Sequence, residues 1–256
     1  MKHLIRTVTA GLVLAAIVAA SALAEPKTFR VGNLVLRDNG AISPTKLPRH
    51  RQVPIGARIK ARIWTSDGSH PPALERVTPE FDRTIQVNAE GLPVCRRSQL
   101  TARSTAAAKR ACADAIVGSG EGEVTVAFPE QAPFAATGPI ALFNGGVEGR
   151  TTLLLIHTYV NVPAPTAVVV PVKMTRIDRG HYGIHVDAQI PRIAGGAGSV
   201  TEFRISIDRR FTHRGQRQSY LTASCPTGRY YAAGVARFAD GTKIEITHVL
   251  PCTPRG

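Results

Sequence analysis

The chain lacks the local patterns that announce common chemistries. It has no C-x-x-C and no clustered Cys/His spacing, so a zinc site is not expected and no metal or other cofactor is implied. Neither G-x-S-x-G nor H-E-x-x-H occurs, and no catalytic residue can be named. No nucleic-acid-binding motif stands out either, so no specific nucleic acid is expected as a partner. After residue 24 no apolar run is long enough to span a bilayer; the most apolar stretch, TLLLIHTYVNV, carries a histidine. Acidic residues are scarce, 18 against 32 Lys and Arg, and none falls in the segment CRRSQLTARSTAAAKRAC at 95–112. HVLPCTPRG at the end has no apolar tail or sorting signal.

What is present begins with MKHLIRTVTAGLVLAAIVAASALAEP. Lys2 and Arg6 make a positive start, Thr7 to Ala20 is nearly all apolar, and Ala22-Leu23-Ala24 is a small-x-small site. This pattern predicts a secretory signal peptide over 1–24, cleaved after Ala24. No cysteine follows the site, so lipid modification is not supported. Export gives the four cysteines a meaning, because an even number in an exported chain suggests disulfides. Of three connectivities, 95–112 and 225–252 join partners close in sequence, so Cys95–Cys112 and Cys225–Cys252 are favoured.

Removing 24 of 256 residues leaves 232, enough for one large β domain or two small ones. The formal charge of +14 falls by two, to +12, when Lys2 and Arg6 leave. A charge of this size attracts polyanions at low salt, such as an anionic cell-wall polymer or an acidic polysaccharide.

Alternation dominates the rest. In ARIKARIWT, 57–65, Ala57, Ile59, Ala61 and Ile63 share one face and Arg58, Lys60 and Arg62 the other, which is a half-buried strand with a solvated basic face. Further strands are expected at 123–128, 139–143, 152–162, 167–177, 181–190, 200–208, 219–224, 230–238 and 243–250, separated by Gly, Pro, Asn and Asp clusters. The spacing predicts an all-β fold, an antiparallel β-sandwich. VPAPT joins 152–162 to 167–177 as a hairpin, which favours a single domain over 53–256. The alternative is two sandwiches split near 165, supported by RVTPEFDRTI at 76–85 echoing SVTEFRISIDRR at 199–210. Residues 25–52, basic and Pro-containing, read as a linker or edge segment.

Within 95–112, Ser104 can cap a helix running to about Val117, with Gly118 as its stop. Ser104, Ala108, Ala111, Cys112, Ala115 and Ile116 fall on one arc, so small residues face the sheet and Cys112 faces Cys95. Closing such a loop is worth roughly 3 kcal/mol. Arg96, Arg97, Arg103, Lys109 and Arg110 then need only a solvated face, and the segment reads as a staple before it reads as a binding element. GSGEG at 118–122 follows the helix, so it reads as a helix stop and turn instead of a phosphate loop.

IDRRFTHRGQRQSY at 207–220 is the best surface candidate. Arg209, Arg210, His213, Arg214 and Arg217 crowd an expected hairpin tip, and guanidinium forks suit phosphate, sulfate or carboxylate. His181 and His185 have metal-like i,i+4 spacing, but on a strand they sit roughly 13 Å apart. Glu121 and Glu123 share a strand face, whereas glycosidase carboxylates oppose each other across a cleft.

SDGSHPPALERVTPEFD, GLPVC, STAAAKRAC, VAFPEQAPF, FNGG, VPAPTA, IPRIAGGAGSVTEF, SYLTASCP and FADGT, in that order, resemble a family of secreted actinobacterial proteins. The resemblance covers most of the chain after residue 24. It implies an envelope or extracellular location; the family has no assigned activity, so it implies nothing about mechanism. The expectation is a secreted, non-catalytic protein that binds anionic glycans or other polyanions. A secreted hydrolase and a structural or adhesive module are the alternatives.

Overall fold

A computed structural model of the chain describes residues 25–161 and 164–256. The expected signal peptide, 1–24, lies outside the described residues. The strands are β1 (Lys27–Val31), β2 (Leu34–Ser43), β3 (Lys46–Pro48), β4 (Val53–Pro54), β5 (Gly56–Thr65), β6 (Leu74–Val77), β7 (Glu80–Asp82) and β8 (Ile85–Val87). After the helix α1 (Thr105–Ala111) come β9 (Ile116–Val126), β10 (Phe134–Glu148), β11 (Thr151–Val160), β12 (Thr166–Arg179), β13 (Tyr182–Gln189) and β14 (Gly198–Ile207). The last are β15 (Arg210–His213), β16 (Gln216–Ser219), β17 (Leu221–Ala223), β18 (Arg229–Phe238), β19 (Lys243–Pro251) and β20 (Thr253–Arg255). The expected all-β, antiparallel class is what the structure shows.

One large sheet runs β1-β2-β5-β14-β9-β10-β11-β12-β13-β6-β18-β19, with β7 bridging β13 and β18. It folds over on itself. Leu34, Leu36 and Ile63 of the β2–β5 layer pack on Leu74, Ala236, Phe238 and Ile244 of the β6–β18–β19 layer. At the seam β1 lies against β19. Side chains hold that seam: Lys27 Nζ donates to the Thr247 carbonyl at 3.1 Å, and His248 Nε2 meets Asp38 Oδ1 at 2.7 Å. The short sheets β4-β17-β8 and β20-β3 bring Leu47, Ile55, Val87, Leu221 and Ala223 into the larger core, where they meet Leu142, Leu154 and Val172.

β11 and β12 are paired over ten residues, from Thr151↔Thr175 to Val160↔Thr166, as the hairpin reading expects. Strands from either side of residue 165 also interleave. β14 sits between β5 and β9, and β6 sits between β13 and β18. Two sandwiches split near 165 do not fit that order. The echoing phrases are not equivalent: 76–85 is broken into β6, β7 and β8, while 199–207 belongs to the continuous strand β14.

Three expectations need correction. Residues 25–52 supply the edge strand β1 but are not a linker. β2 pairs with β5 over ten residues and buries Leu34, Val35 and Leu36, whose burial outweighs the breaking effect of nearby Pro. The helix expected over 104–117 is α1, only seven residues long, followed by a 3₁₀ turn at Ala113–Ala115. It stops early because Ile116 and Val117, β-branched, enter the ladder of β9. Ser104 does cap it, accepting from Ala107 N at 3.2 Å. Ala111 is exposed, and Thr105 takes a buried place that the wheel did not assign.

The third correction is GSGEG, which is strand and not a turn. Gly118 and Gly120 lie inside β9, opposite Ile207 and Ile205 of β14. A Cβ on Gly120 would stand 2.0 Å from the Arg204 carbonyl oxygen, and one on Gly118 2.2 Å from that of Ser206. The two glycines let adjacent backbones approach where the sheet coils.

The staple is present: Cys95 and Cys112 are bonded, as are Cys225 and Cys252. Cys95, Leu100, Ala108, Cys112 and Ala115 cover the outer side of β10 and β11 at Ala141, Phe143 and Leu155. His157 pins the segment from below. Its Nε2 meets the Arg103 carbonyl at 3.1 Å, and its Nδ1 lies 3.5 Å from Thr105 Oγ1.

Candidate anion-binding surface

The alternation that buries Leu34, Leu36, Ala61 and Ile63 sends their neighbours outward. Register sets those neighbours side by side. Arg37 stands directly opposite Arg62, Asn39 opposite Lys60, and Ala41 opposite Arg58. Across β5, Lys60 faces Arg204 and Arg58 faces Ser206; across β14, Arg204 faces Glu121. The face therefore divides. On the β14–β9 side every acid is engaged. Glu202 holds Lys60 at 3.1 Å, Glu121 accepts from Arg204 Nε at 3.1 Å, and Glu123 accepts from Thr201 Oγ1 at 2.9 Å. On the β1–β2–β5 side Arg30, Arg37, Arg58 and Arg62 are exposed, and among the described residues none has a carboxylate within ion-pair distance.

The hairpin candidate is a hairpin, β15 with β16, turning at Arg214-Gly215 with φ of 50° and 75° at the two residues. It does not bring its five basic residues together. Arg210, Arg214 and Arg217 are exposed. Arg209 turns into the body, donating from Nη2 to the Asp114 carbonyl at 3.3 Å. His213 lies flat against Gly91, with Phe211 on the same hairpin face packing on the core. The period of two splits residues that crowd together in sequence.

Two constellations resemble catalytic ones. His70 Nε2 lies 3.0 Å from Ser199 Oγ beside a cavity of about 440 Å³ that Asn33, Ser69 and Asp240 also line. Ser199 Oγ, however, donates to the Pro71 carbonyl at 2.6 Å. His70 Nδ1 is buried with no hydrogen-bond partner, so no carboxylate orients the ring as a triad requires. The Ser–His pair is a chain of hydrogen bonds ending on a backbone carbonyl. The second constellation is Glu80, buried, which accepts from Arg179 and meets His185 Nδ1 at 3.1 Å. It stands in a sheet row with His185, Thr175 and Thr151. His181 stacks on Tyr231 at 4.1 Å, apart from His185. Among the described residues no group of three His, Cys, Asp or Glu could hold a metal ion.

These buried groups make the fold acid-sensitive. Hydrogen bonding to Arg179 holds the Glu80 carboxyl below its usual range, and Arg76 does the same for Asp187, which it grips at 2.7 Å by two nitrogens. Their contribution is present above the unfolded carboxylate values and is lost as pH falls through the folded ones. Desolvation lowers His70 and His157, so below pH 6.5 the unfolded chain binds more protons and stability again falls. The melting temperature is expected to drop in two stages, first below about pH 6.5 and again below about pH 4.5. A melting temperature unchanged from pH 7 to pH 5, measured by circular dichroism, would contradict the histidine stage.

No family model, curated protein or solved structure matches this chain.

Sequence reasoning placed Arg58, Lys60 and Arg62 on a solvated face but missed Arg30 and Arg37. The missing signal was the strand character of 34–43, where Leu34, Leu36, Asp38, Gly40 and Ile42 form an inward row broken by two non-hydrophobic residues.

Proposed function

We propose that the chain is exported and non-catalytic, and that it binds an anionic cell-wall polymer or polysaccharide through the outward face of β1, β2 and β5. The observation that carries the reading is Arg37 directly opposite Arg62, neither of them in an ion pair, because Glu202, which faces Arg62 from β14, is held by Lys60 at 3.1 Å. Like charges facing each other across a ladder are destabilising, so keeping them calls for a partner that supplies the negative charge. Two disulfides, an excess of basic residues and the resemblance to secreted actinobacterial proteins support an envelope or extracellular setting. No helix among the described residues is long and apolar enough to cross a membrane.

The hydrolase reading is weaker, because the Ser199–His70 pair directs its hydroxyl to a carbonyl. The test is retention on purified anionic wall polymer. Binding is expected at about 0.01 M salt and release by about 1 M, where the Debye length has shrunk from about 30 Å to about 3 Å. Absence of retention at the low salt concentration would overturn the proposal.

A further inference from the structure

On the basic face, three arginines and the tryptophan occupy two adjacent rows of the ladder. Arg30 lies opposite Val35, and Val35 opposite Trp64. One step along, Thr28 lies opposite Arg37, and Arg37 opposite Arg62. Directly opposed side chains start about 5 Å apart and diagonal ones about 7 to 8 Å. The Arg62 guanidinium carbon is 5.7 Å from the centre of the Trp64 ring.

Val35 shows that this cluster is packed. It points to the outward side of the sheet, yet its exposure is 0%. The residues flanking it there are Arg30, Trp64, Arg37 and, diagonally, Arg62. Long stems lying over an apolar residue leave their charged heads at the surface. Cation–π contact with Trp64 further restrains the Arg62 head. Three arginines thus share one packed patch and none is in an ion pair; Glu202, opposite Arg62 on β14, is held by Lys60 at 3.1 Å.

We infer that Arg30, Arg37 and Arg62, gathered around Trp64, form a subsite for a tetrahedral oxyanion, a phosphate or sulfate ester group on the bound polymer. This rests on reading the face as anion-binding. A guanidinium presents a rigid fork of N–H donors, and three forks supply more donors than one carboxylate can accept. A phosphate or sulfate monoester offers three terminal oxygens to such forks, and an internal phosphate of a polymer two. A carboxylate-only polymer is therefore the poorer ligand.

Trp64 is the only tryptophan in the chain, so its fluorescence reports on this site alone. Inorganic phosphate and sulfate, added at constant ionic strength, are expected to change Trp64 emission saturably, while acetate does not. Arg37→Gln and Arg62→Gln are each expected to weaken that response by about tenfold or more, the share of a hydrogen bond to a charged group. Arg30→Gln, on an edge strand, provides a variant that leaves the β2–β5 ladder intact. Retention on a sulfated polysaccharide, on inorganic polyphosphate and on a polyuronate then separates the sources. Sulfated and phosphorylated polymers should elute at higher salt than the polyuronate, and whichever of the two elutes later names the ester. If acetate matched phosphate and sulfate, or if all three variants responded like the parent, the subsite would be refuted while polymer retention could still stand. If the parent bound no polymer at all, both the subsite and the anion-binding face would fall together.

Discussion

Gly120→Val is expected to leave no stably folded protein, and Gly120→Ala to lower the melting temperature by 10 °C or more, as a cost above about 4 kcal/mol implies. The cause is a backbone atom. The Arg204 carbonyl oxygen would lie 2.0 Å from the new Cβ, and it belongs to the adjacent strand of the same ladder, so it cannot turn aside as a side chain would. Relief requires separating β9 from β14 in the middle of the large sheet. Ser119, the next residue, points outward and is exposed, so Ser119→Ala serves as the control and should stay within about 0.5 kcal/mol of the parent. The check is thermal unfolding of the three variants beside the parent. A Gly120→Ala protein melting within two or three degrees of the parent would show that the strands separate at little cost.

Replacing Cys95 and Cys112 together by Ser is expected to cost about 3 kcal/mol from loop-closure entropy, or about 6 to 12 °C in melting temperature. The sequence separation is 17, and the enclosed segment has little other means of holding its shape. α1 has seven residues, too few to persist alone. What remains is the Cys95 amide donating to the Asn144 carbonyl at 2.8 Å, the His157 contacts and the small apolar cluster over Phe143 and Leu155. Loosening the segment should also expose those residues, so a dye that binds apolar surface should fluoresce more with the double variant before global unfolding. Equal melting temperatures for parent and variant would mean that packing on Phe143 and Leu155 holds the segment without the covalent link.

Much of the fold was legible because it follows from local alternation. Ala57, Ile59, Ala61 and Ile63 marked β5, and VPAPT between two apolar runs marked the β11–β12 hairpin. Proximity in sequence found both disulfides. The failures share a cause. Gly118 and Gly120 looked like punctuation because their reason is a neighbouring backbone contributed by residues 204–206. Residues 34–43 looked like a linker because Asp38 and Gly40 interrupt the apolar row, and Asp38 is explained only by His248, 210 residues away. The grouping of the hairpin residues was incomplete for the same reason. Arg209, Arg210, His213, Arg214 and Arg217 are neighbours in sequence, but the pleat sends them to different sides. Arg37 and Arg62 are 25 positions apart and meet only through the β2–β5 register.

The most direct test compares two double variants on one polymer column. Arg37→Gln/Arg62→Gln and Arg210→Gln/Arg217→Gln remove the same charge, one pair from the sheet face and the other from the hairpin. The sheet-face variant is expected to elute at clearly lower salt than the parent, and the hairpin variant close to it. Equal shifts for the two, or a larger shift for the hairpin, would contradict the assignment of binding to β1, β2 and β5.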